Sequence, residues 1–315
     1  MCWLGFPGLL AAQAVPEFTA IQALTNREIA LQLSGVVGLN YRIDAATTLP
    51  SWSPLVTLTG ATVTLQHTDT AAPYLSTRFY RAEELSGTNI LTGDYLLTGD
   101  GEVIIHPIGH ASFVMAWQGK MIYNDPTNGA APYLGLPRAD LILVSHTHGD
   151  HFSSATIDAV RGSNTVIIAP QAVYNSLSAP QKALTLVLTN GASTNALGLL
   201  VEAVPAYNLT STYHPKGVGN GYVLTIGGKR IYISGDSEDI PEMRALSQID
   251  VAFVCVNQPF TMPVDKAASA LRDFRPRVIY PYHYRNSDGT FSDLNDLKRR
   301  VGQDLGIEVR LRKWY

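Results

Sequence analysis

Short apolar runs separated by turn residues fill the first part of the chain after its opening stretch. Glycine and proline punctuate these β-prone runs, a pattern typical of short strands joined by turns. Strands at such regular spacing favour a small β-sandwich, which we predict over residues 20–83. Residues 84–93, rich in Ser, Gly, Thr and Asn, are a predicted linker. The predicted strands are Ile29–Leu33, Leu39–Ala45, Leu55–Leu58, Thr62–Gln66 and Thr77–Arg81.

Strand and helix patterns alternate over residues 94–315, which predicts an α/β domain of packed layers. The run Ala139–Ser145 (ADLILVS) is almost continuously apolar, as expected of a strand buried on both faces. Ser153–Arg161, Val264–Phe274 and Ser292–Val301 are the predicted helices. The other predicted strands are Val103–Ile105, Ser112–Trp117, Lys120–Tyr123, Thr165–Ala169, Gly198–Val204, Tyr222–Ile226, Arg230–Ser234, Val251–Val256, Val278–Tyr282 and Ile307–Lys313.

The composition and charge of the chain limit the kinds of partner that it is expected to bind. The chain has 26 acidic and 23 basic residues and a net charge of −3, which argues against a nucleic-acid surface or a polybasic membrane patch. No run of about 18 apolar residues follows the opening stretch, so we expect no membrane-spanning helix. The two cysteines, Cys2 and Cys255, are too few for a disulfide framework or a cysteine metal site.

The opening stretch MCWLGFPGLLAAQA is apolar and uncharged and ends in Ala12-Gln13-Ala14. This triplet is similar to a secretory cleavage site, although a positively charged n-region is missing. We therefore interpret residues 1–19 as a signal-like or flexible N-terminus and expect export to the periplasm or the extracellular space. An ordinary apolar tail on a cytoplasmic protein is the alternative.

Three histidines and one aspartate lie within six positions directly after the ADLILVS strand. His146 and His148 are two residues apart, so on an extended or turning backbone both side chains can point the same way. Asp150 and His151 follow Gly149, which permits a sharp bend. Imidazole and carboxylate suit zinc and other divalent first-row metals. The sequence therefore predicts a metal site at the carboxyl end of this strand.

The HTHGDH element at residues 146–151 resembles the signature of the metallo-β-lactamase superfamily, and the similarity covers about residues 93–315. The superfamily implies an αββα sandwich. It also implies that Asp236, in IYISGDS, bridges two metals and that His283, after VIYPY, is the last histidine ligand. The segments GHAS, with His110, and Asp125-Pro126 resemble marks of the ascorbate-6-phosphate lactonase-like branch. Phospholipase D-like enzymes that act on N-acyl phosphatidylethanolamines share these marks.

The predicted β-sandwich is itself similar to small immunoglobulin-like modules of exported bacterial proteins, through GLNYRIDA, WSPL and RFYR. This similarity implies a bacterial protein. It also implies that the N-terminal module contacts a surface or a partner and takes no part in catalysis. The oligomeric state is left open.

One position departs from the superfamily pattern. The third histidine of the first metal site normally follows a strand resembling residues 201–206, where this sequence continues with Tyr207 and Asn208. His214 lies further on, in a predicted loop. Three alternatives stay open: His214 is the ligand, His214 contacts the substrate, or Asn208 is a weak oxygen ligand.

The resemblance implies one or two divalent ions, with zinc expected first and manganese or iron also compatible. Metal binding lowers the pKa of water from 15.7 to about 7, so a metal-bound hydroxide is available at neutral pH. Asp150 is either a metal ligand or the base that orients this water. Asp125 either accepts a ring N–H from a ligand histidine or forms a turn before Pro126. The implied ligand set is His146 and His148 for one ion and Asp150, His151 and His283 for the other, with Asp236 between them.

The predicted activity is metal-dependent hydrolysis of an ester-like bond in a small molecule: a lactone, a phosphodiester or an acyl ester. Lys216 and Arg285 are candidate cations for a substrate phosphate or carboxylate, and His110 is a candidate pocket residue. The glycine-rich residues 217–221 are a predicted rim loop. The alternatives are a β-lactam hydrolase, a nuclease, which the low charge disfavours, and a metal-binding or scaffold protein with a vestigial site.

Overall fold

The computed structural model describes residues 16–85 and 91–315, and the chain divides into two compact units, Met1–Thr88 and Asn89–Tyr315. Most of the predicted signal-like stretch, and residues 86–90 of the predicted linker, lie outside the described residues. Among the residues that are described, no helix is both long and apolar enough to cross a membrane.

The first unit is all β in its described part, apart from a short 3-10 turn at Ala72–Tyr74. Its strands are β1 (Phe18–Ala23), β2 (Ile29–Ser34), β3 (Asn40–Ala46), β4 (Ser53–Thr59), β5 (Thr64–Asp69) and β6 (Phe79–Leu85). They pair antiparallel in the orders β1-β2-β5 and β4-β3-β6. Leu31 of β2 and Ile43 of β3 share one apolar cluster, so the two sheets pack face to face. Because β6 continues to Leu85, residues 84 and 85 are strand rather than linker.

The second unit contains two mixed sheets. In the first, neighbouring strands follow the chain order, antiparallel from β7 to β10 and parallel from β10 to β13. In the second, the order is also sequential, antiparallel from β14 to β17 and parallel from β17 to β20. The strands of the first sheet are β7 (Gly93–Thr98), β8 (Gly101–Gly109), β9 (Ser112–Trp117), β10 (Lys120–Asn124), β11 (Ala139–Leu143), β12 (Arg161–Ala169) and β13 (Thr185–Val187). Those of the second are β14 (Ser193–Ala196), β15 (Leu199–Ala206), β16 (Gly219–Ile226), β17 (Lys229–Ile233), β18 (Val251–Cys255), β19 (Val278–Tyr282) and β20 (Glu308–Val309).

Alternating side chains build the layers of the second unit. Phe113 and Met115 of β9 lie in the cluster between the sheets, and the Phe113 ring stacks on Phe253 of β18 at 4.2 Å between centroids. Val114 points the opposite way, into a cluster with Ile157 of the helix α1. The helices are α1 (Ser154–Val160), α2 (Gln171–Ser176), α3 (Ala179–Lys182), α4 (Pro241–Arg244), α5 (Val264–Phe274) and α6 (Leu294–Val301), with a 3-10 turn at Ala131–Tyr133.

The second sheet is covered in the same way from its other side. Tyr232 of β17 packs against Phe274 of α5, with ring centroids 6.0 Å apart. Helices therefore cover the outer face of each sheet, which gives the order helix, sheet, sheet, helix. The predicted α/β sandwich preceded by an all-β region is confirmed.

Several predicted elements have other bounds in the structure, among them the last strand and the rim loop. The last strand, predicted over Ile307–Lys313, is only β20 (Glu308–Val309). The Arg310 N–H still donates to the Ile279 carbonyl, and its buried side chain binds Glu308 (2.8 Å) and Tyr280 (2.8 Å). The predicted rim loop 217–221 is, from Gly219 onward, the start of β16. A Cβ at Gly221 would lie 2.8 Å from the Ile233 carbonyl oxygen, so this glycine allows close strand approach.

Candidate metal centre

The HTHGDH segment begins where β11 leaves its sheet. The Ser145 N–H donates to Asp125 Oδ1 at 2.7 Å. A side-chain carboxylate just after β10 therefore accepts the hydrogen bond that a backbone carbonyl would accept if the two strands continued. The chain then turns, and the His151 N–H donates to the His148 carbonyl at 3.0 Å. Gly149 is not in the left-handed region, so this turn does not depend on glycine's conformational freedom.

Ligand atoms from distant parts of the chain converge on this turn. Asp236 follows β17, His283 follows β19 and His110 follows β8, and all three reach the HTHGDH side chains. Within each of three groups, two of which share His146, the ligand atoms lie within 4.8 Å of one another. These groups are His146, His148 and His214; His146, His151 and Asp236; and His110, Asp150 and His283.

Asp236 lies between the groups. Its Oδ2 is 3.3 Å from His214 Nε2. Its Oδ1 is 3.3 Å from His151 Nε2 and 3.4 Å from His283 Nε2. Four ligands around zinc with bonds of about 2.0–2.1 Å are separated from one another by about 3.4 Å. The spacing of the buried atoms therefore matches that of ligands around a small cation.

Several of these buried atoms have no hydrogen-bond partner. They are His146 Nε2, His151 Nε2, His283 Nε2 and Asp236 Oδ1. Leaving a buried polar atom unpaired costs about 1–3 kcal/mol, so a converging set of such atoms calls for a common partner. Imidazole nitrogens and carboxylate oxygens are ligands of divalent first-row metals. These residues are therefore positioned to hold a metal ion.

Burial and neighbouring charges shape the protonation of the cluster. Burial, with the nearby His151, holds the pKa of His146 well below its usual range, and burial also lowers the pKa of His148. Burial alone would raise the pKa of Asp236, but His151 and His283 hold it well below its usual range. His146, His148 and Asp236 are thus held in the forms in which these groups bind metals, the neutral imidazole and the ionised carboxylate. Burial alone would lower the pKa of His151 and of His283, but the Asp236 carboxylate raises both.

The ring of His151 is fixed by Asp125. The Asp125 Oδ2 atom lies 2.8 Å from His151 Nδ1 and accepts the Ser145 hydroxyl at 2.8 Å, with all three side chains buried. A proton on Nδ1 leaves the lone pair of the neutral ring on Nε2, the atom that faces Asp236. Carboxylate partners of this kind orient metal-binding histidines. Ser145, which precedes His146 directly, was not singled out in the sequence.

His110 connects Asp150 to the last residue of the sequence. Its Nε2 lies 2.9 Å from Asp150 Oδ2, and its Nδ1 lies 2.7 Å from the Tyr315 hydroxyl. The His110 ring packs on that of His283 at 3.8 Å between centroids. When the Tyr315 hydroxyl donates a hydrogen bond to Nδ1, the ring proton of His110 lies on Nε2 and is donated to Asp150. Nothing in the sequence around Tyr315 indicates this contact.

Three of these residues have backbone φ angles in the left-handed region: His110 (+55°), Asp125 (+42°) and His283 (+47°). Such angles are uncommon for residues other than glycine and cluster at functional sites. Backbone hydrogen bonds hold the chain at these positions, since the His283 N–H donates to the His110 carbonyl and the Asp125 N–H donates to that of Leu143.

For the third histidine, the structure brings His214 into the cluster. Its Nε2 lies 3.2 Å from His148 Nδ1. The Asn208 Oδ1 atom lies 2.6 Å from His214 Nδ1, and the Asn208 amide donates to Glu238 and to the Phe260 carbonyl. The Asn208 oxygen therefore faces an imidazole and not the ligand atoms. Glu238 was missed, although it stands two residues after Asp236.

The two predicted substrate cations lie elsewhere. The Lys216 ammonium is 2.8 Å from Glu242 Oε1 and 3.2 Å from the Tyr207 hydroxyl, and it lies over the Tyr207 ring. Arg285 is exposed and forms an isolated bridge with Phe291. The Lys216 charge is thus paired with a nearby carboxylate, and its contact with a substrate stays a prediction.

A small cavity opens on the His148 side of the cluster. Its walls combine the polar groups His146, His148, His214, Asp236 and Thr147 with the uncharged residues Ala206, Tyr213, Pro215, Val218 and Gly219. The side chains of Tyr213 and Val218 are partly exposed at its mouth. A ligand in this cavity would contact the candidate metal ligands on one side and an apolar wall on the other.

Comparisons with known sequences show which family this chain belongs to. Residues 105–283 match the family model described as the Beta-lactamase superfamily domain. A UPF0173 metal-dependent hydrolase from Thermus thermophilus is 31% identical over 216 residues, 65% of this chain and 94% of that protein. Another from Thermococcus kodakarensis is 31% identical over 210 residues, 64% of this chain and 93% of that protein.

Solved structures agree. A crystal structure from Parabacteroides distasonis, whose proposed assignment is a metal-dependent hydrolase, is 41% identical with a TM-score of 0.64, covering 71% of this chain and 99% of that one. Igni18, a metallo hydrolase from Ignicoccus hospitalis, is 26% identical with a TM-score of 0.57, covering 67% of this chain and 95% of that one. The chain therefore belongs to the metallo-β-lactamase superfamily and, within it, to the UPF0173 metal-dependent hydrolases.

Proposed function

We propose that this hydrolase cleaves an uncharged ester-like bond, in an acyl ester or a lactone, at a centre of two divalent cations. The observation that carries the proposal is the convergence of buried ligand atoms without hydrogen-bond partners around Asp236. Zinc is the expected ion because imidazoles dominate the ligand set, and manganese and iron are the alternatives.

The two oxygens of Asp236 support a bridging role. Oδ2 lies beside His214, which belongs to the group with His146 and His148. Oδ1 lies beside His151 and His283 on the side of Asp150. We assign the first three histidines to one ion and the other two, with Asp150, to the second.

When bound, such ions lower the pKa of a coordinated water to about 7 and polarise the bond under attack. The chain's own residues set the geometry for this chemistry. The Asp150 side chain is 46% exposed, whereas that of Asp236 is 3% exposed, so Asp150 is the carboxylate that incoming water and substrate meet. The hydrogen bond from His110 fixes its Oδ2.

The cavity walls favour an uncharged substrate. Within the described part of the chain its lining includes no lysine or arginine, and Lys216 is paired with Glu242. Tyr213 and Val218 form an apolar wall suited to an acyl or ring carbon chain. A phosphodiester would bring a negative charge without a side-chain cation to match it. The GHAS and Asp125-Pro126 segments, which resemble the lactonase-like branch, also favour a lactone.

A substrate panel tests this proposal. The metal-loaded protein would be assayed with p-nitrophenyl butyrate, a γ-lactone, bis(p-nitrophenyl) phosphate and a chromogenic β-lactam, with Asp236→Asn as the inactive control. We expect turnover of the ester or the lactone to exceed that of the other two. Preference for the phosphodiester or the β-lactam would contradict the substrate class, and equal turnover by the control would contradict the site.

We also propose export, and contact of the first unit with a surface or a partner. Support for export comes from the opening sequence, and support for the module from its similarity to immunoglobulin-like modules. Cell fractionation tests export: a mature protein confined to the cytoplasm would contradict it.

A variant of the first unit tests whether that unit is separate from catalysis. Asp69→Ala removes a buried partner of Arg78 and Tyr80 in the first unit. Turnover should change less than about twofold, and its loss in a folded second unit would contradict a separate role.

A further inference from the structure

The loop between β15 and β16 carries a buried chain of hydrogen bonds. Asn208 and His214 are 8% and 6% exposed, and Glu238, beyond them, is 7% exposed. Asn208 Oδ1 lies 2.6 Å from His214 Nδ1, while Asn208 Nδ2 lies 3.2 Å from Glu238 Oε1 and 2.9 Å from the Phe260 carbonyl oxygen. These contacts leave little freedom to the side-chain amide.

The acceptors around Asn208 fix which way its amide points. An ionised carboxylate and a backbone carbonyl only accept hydrogen bonds, so the end of the amide that faces Glu238 and Phe260 must be the NH₂ group. The oxygen then faces His214 and accepts a hydrogen bond from Nδ1–H. A neutral imidazole protonated on Nδ1 carries its lone pair on Nε2. That atom lies 3.3 Å from Asp236 Oδ2.

We propose that Asn208 and Glu238 are positioning residues, which hold His214 in the Nδ1–H form with its Nε2 lone pair aimed at the metal. They take the part that Asp125 has for His151, with an amide and a second carboxylate in place of one carboxylate. The inference rests on the metal centre proposed above, and it adds to that centre the set of residues that makes a loop histidine a ligand.

Glu238 also ties the loop to the strand end that carries Asp236. Its Oε2 accepts the backbone N–H groups of Leu209 (2.8 Å) and Thr210 (3.0 Å), and its Oε1 accepts the Thr210 hydroxyl (2.7 Å). Because Glu238 follows Asp236 by two residues, one short segment positions both the bridging carboxylate and the loop that bears His214. A shift of one would move the other.

Substitutions that reverse the hydrogen-bond polarity test the proposal. Asn208→Asp puts a carboxylate against Glu238 and the Phe260 carbonyl. Glu238→Gln puts an NH₂ group against the Asn208 amide or, if the new amide turns, against the N–H groups of Leu209 and Thr210. Each change alone should weaken zinc binding about 10- to 100-fold, as loss of an outer partner does. The double variant restores a donor facing an acceptor and should bind zinc more tightly than either single variant. Zinc affinity is measured by competition with a chromophoric chelator.

Asn286→Ala is the matched control, since Asn286 also bonds through both ends of its amide, to Gln258 and Thr290, but touches no ligand histidine. Its zinc affinity should equal that of the unaltered protein. Denaturation of the metal-free variants shows whether they fold. Losses of affinity that are merely additive in the double variant, or that follow loss of metal-free stability, would overturn the positioning role.

The tautomer is a second readout that needs no altered loop. Nitrogen NMR of ring-labelled histidine in the metal-free protein, with the His214 signal identified by its loss in His214→Gln, should show a proton on Nδ1. A proton on Nε2 alone would overturn the proposal. If the unaltered protein binds no zinc while His214 shows the Nδ1–H form, the metal centre fails and the hydrogen-bond assignment stands, so the two failures are distinguishable.

Discussion

The two sides of the metal centre are built in different ways. On one side, His146, His148 and His151 follow a buried strand, and a single carboxylate, Asp125, fixes the geometry from the end of the neighbouring strand. On the other, His214 lies on a loop and reaches the cluster through Asn208 and Glu238. The strand end itself brings His146, His148 and His151 together, whereas His214 is held in place by a network of side-chain hydrogen bonds.

The difference has a physical consequence for stability. Asp125 is fully buried and accepts two hydrogen bonds from Ser145 and one from His151, so it supports both the fold and the ligand. The Asn208 network holds a loop whose backbone is otherwise close to the surface, since Leu209 is 50% exposed. We therefore expect the strand side to couple metal binding to global stability and the loop side to affect mainly metal affinity.

The largest effect should come from the residue that joins the two sides. Asp236→Asn removes the carboxylate that faces His151, His283 and His214. We expect kcat/KM to fall at least about 10³-fold, ~4 kcal/mol of transition-state stabilisation. The control is Asp239→Asn, which alters a nearby carboxylate bound to Arg244. Steady-state kinetics on the best substrate of the panel measures this fall in kcat/KM. A fall smaller than about tenfold would contradict the claim that Asp236 joins the two sides of the centre.

The next effect sharpens the contrast in stability. Asp125→Ala leaves the Ser145 N–H, the Ser145 hydroxyl and the His151 ring without their buried acceptor. Unsatisfied buried groups cost about 1–3 kcal/mol each, so we expect the free energy of unfolding of the metal-free protein to fall by at least about 3 kcal/mol. Urea denaturation of the metal-free Asp125→Ala and Asn208→Ala variants measures the difference between their free energies of unfolding. Equal destabilisation by both variants would remove the distinction drawn here.

A smaller effect is expected at the edge of the strand side. Tyr315→Phe removes the hydroxyl that holds His110 Nδ1 and keeps the ring contact with Tyr284. A hydrogen bond contributes about 0.5–1.5 kcal/mol, so kcat/KM should fall about 2- to 10-fold if Asp150 depends on His110. No change would show that the Asp150 orientation is set without Tyr315.

The smallest effect is expected for Lys216→Ala on the loop side. The Lys216 side chain is 62% exposed, and its charge is paired with Glu242 rather than directed into the cavity. Because exposed ion pairs contribute little and this charge does not face the cavity, activity toward an uncharged ester should change less than about threefold. A larger loss confined to KM would instead place Lys216 against the substrate.

Much of the fold follows from local pattern. The predicted strand Ser112–Trp117 has the bounds of β9, and the predicted helix Val264–Phe274 has those of α5, because side-chain periodicity determines both. Residues 307–313 also have strand character, but only Glu308–Val309 form a strand, and the buried Arg310 that follows pairs with Glu308 and Tyr280. That pairing depends on tertiary contacts that local pattern does not contain.

The site divides in the same way. His146, His148, Asp150 and His151 are adjacent in the sequence, and resemblance to the superfamily pointed to Asp236 and His283, which the structure brings to them. The contact between Tyr315 and His110 spans 205 residues and depends on the path of the chain after β20. The direction of the Asn208 amide follows from the Phe260 carbonyl, which no pattern in the sequence links to it.

Metal content tests the central claim most directly. The protein and its Asp236→Asn variant would be incubated with zinc, manganese or iron, freed of unbound ions and measured by elemental mass spectrometry. We predict about two bound ions per chain for the unaltered protein, as in two-metal hydrolases, and less than about one for the variant. An unaltered protein without stoichiometric metal, or a variant that retains the same number of ions, would contradict a two-cation centre bridged by Asp236.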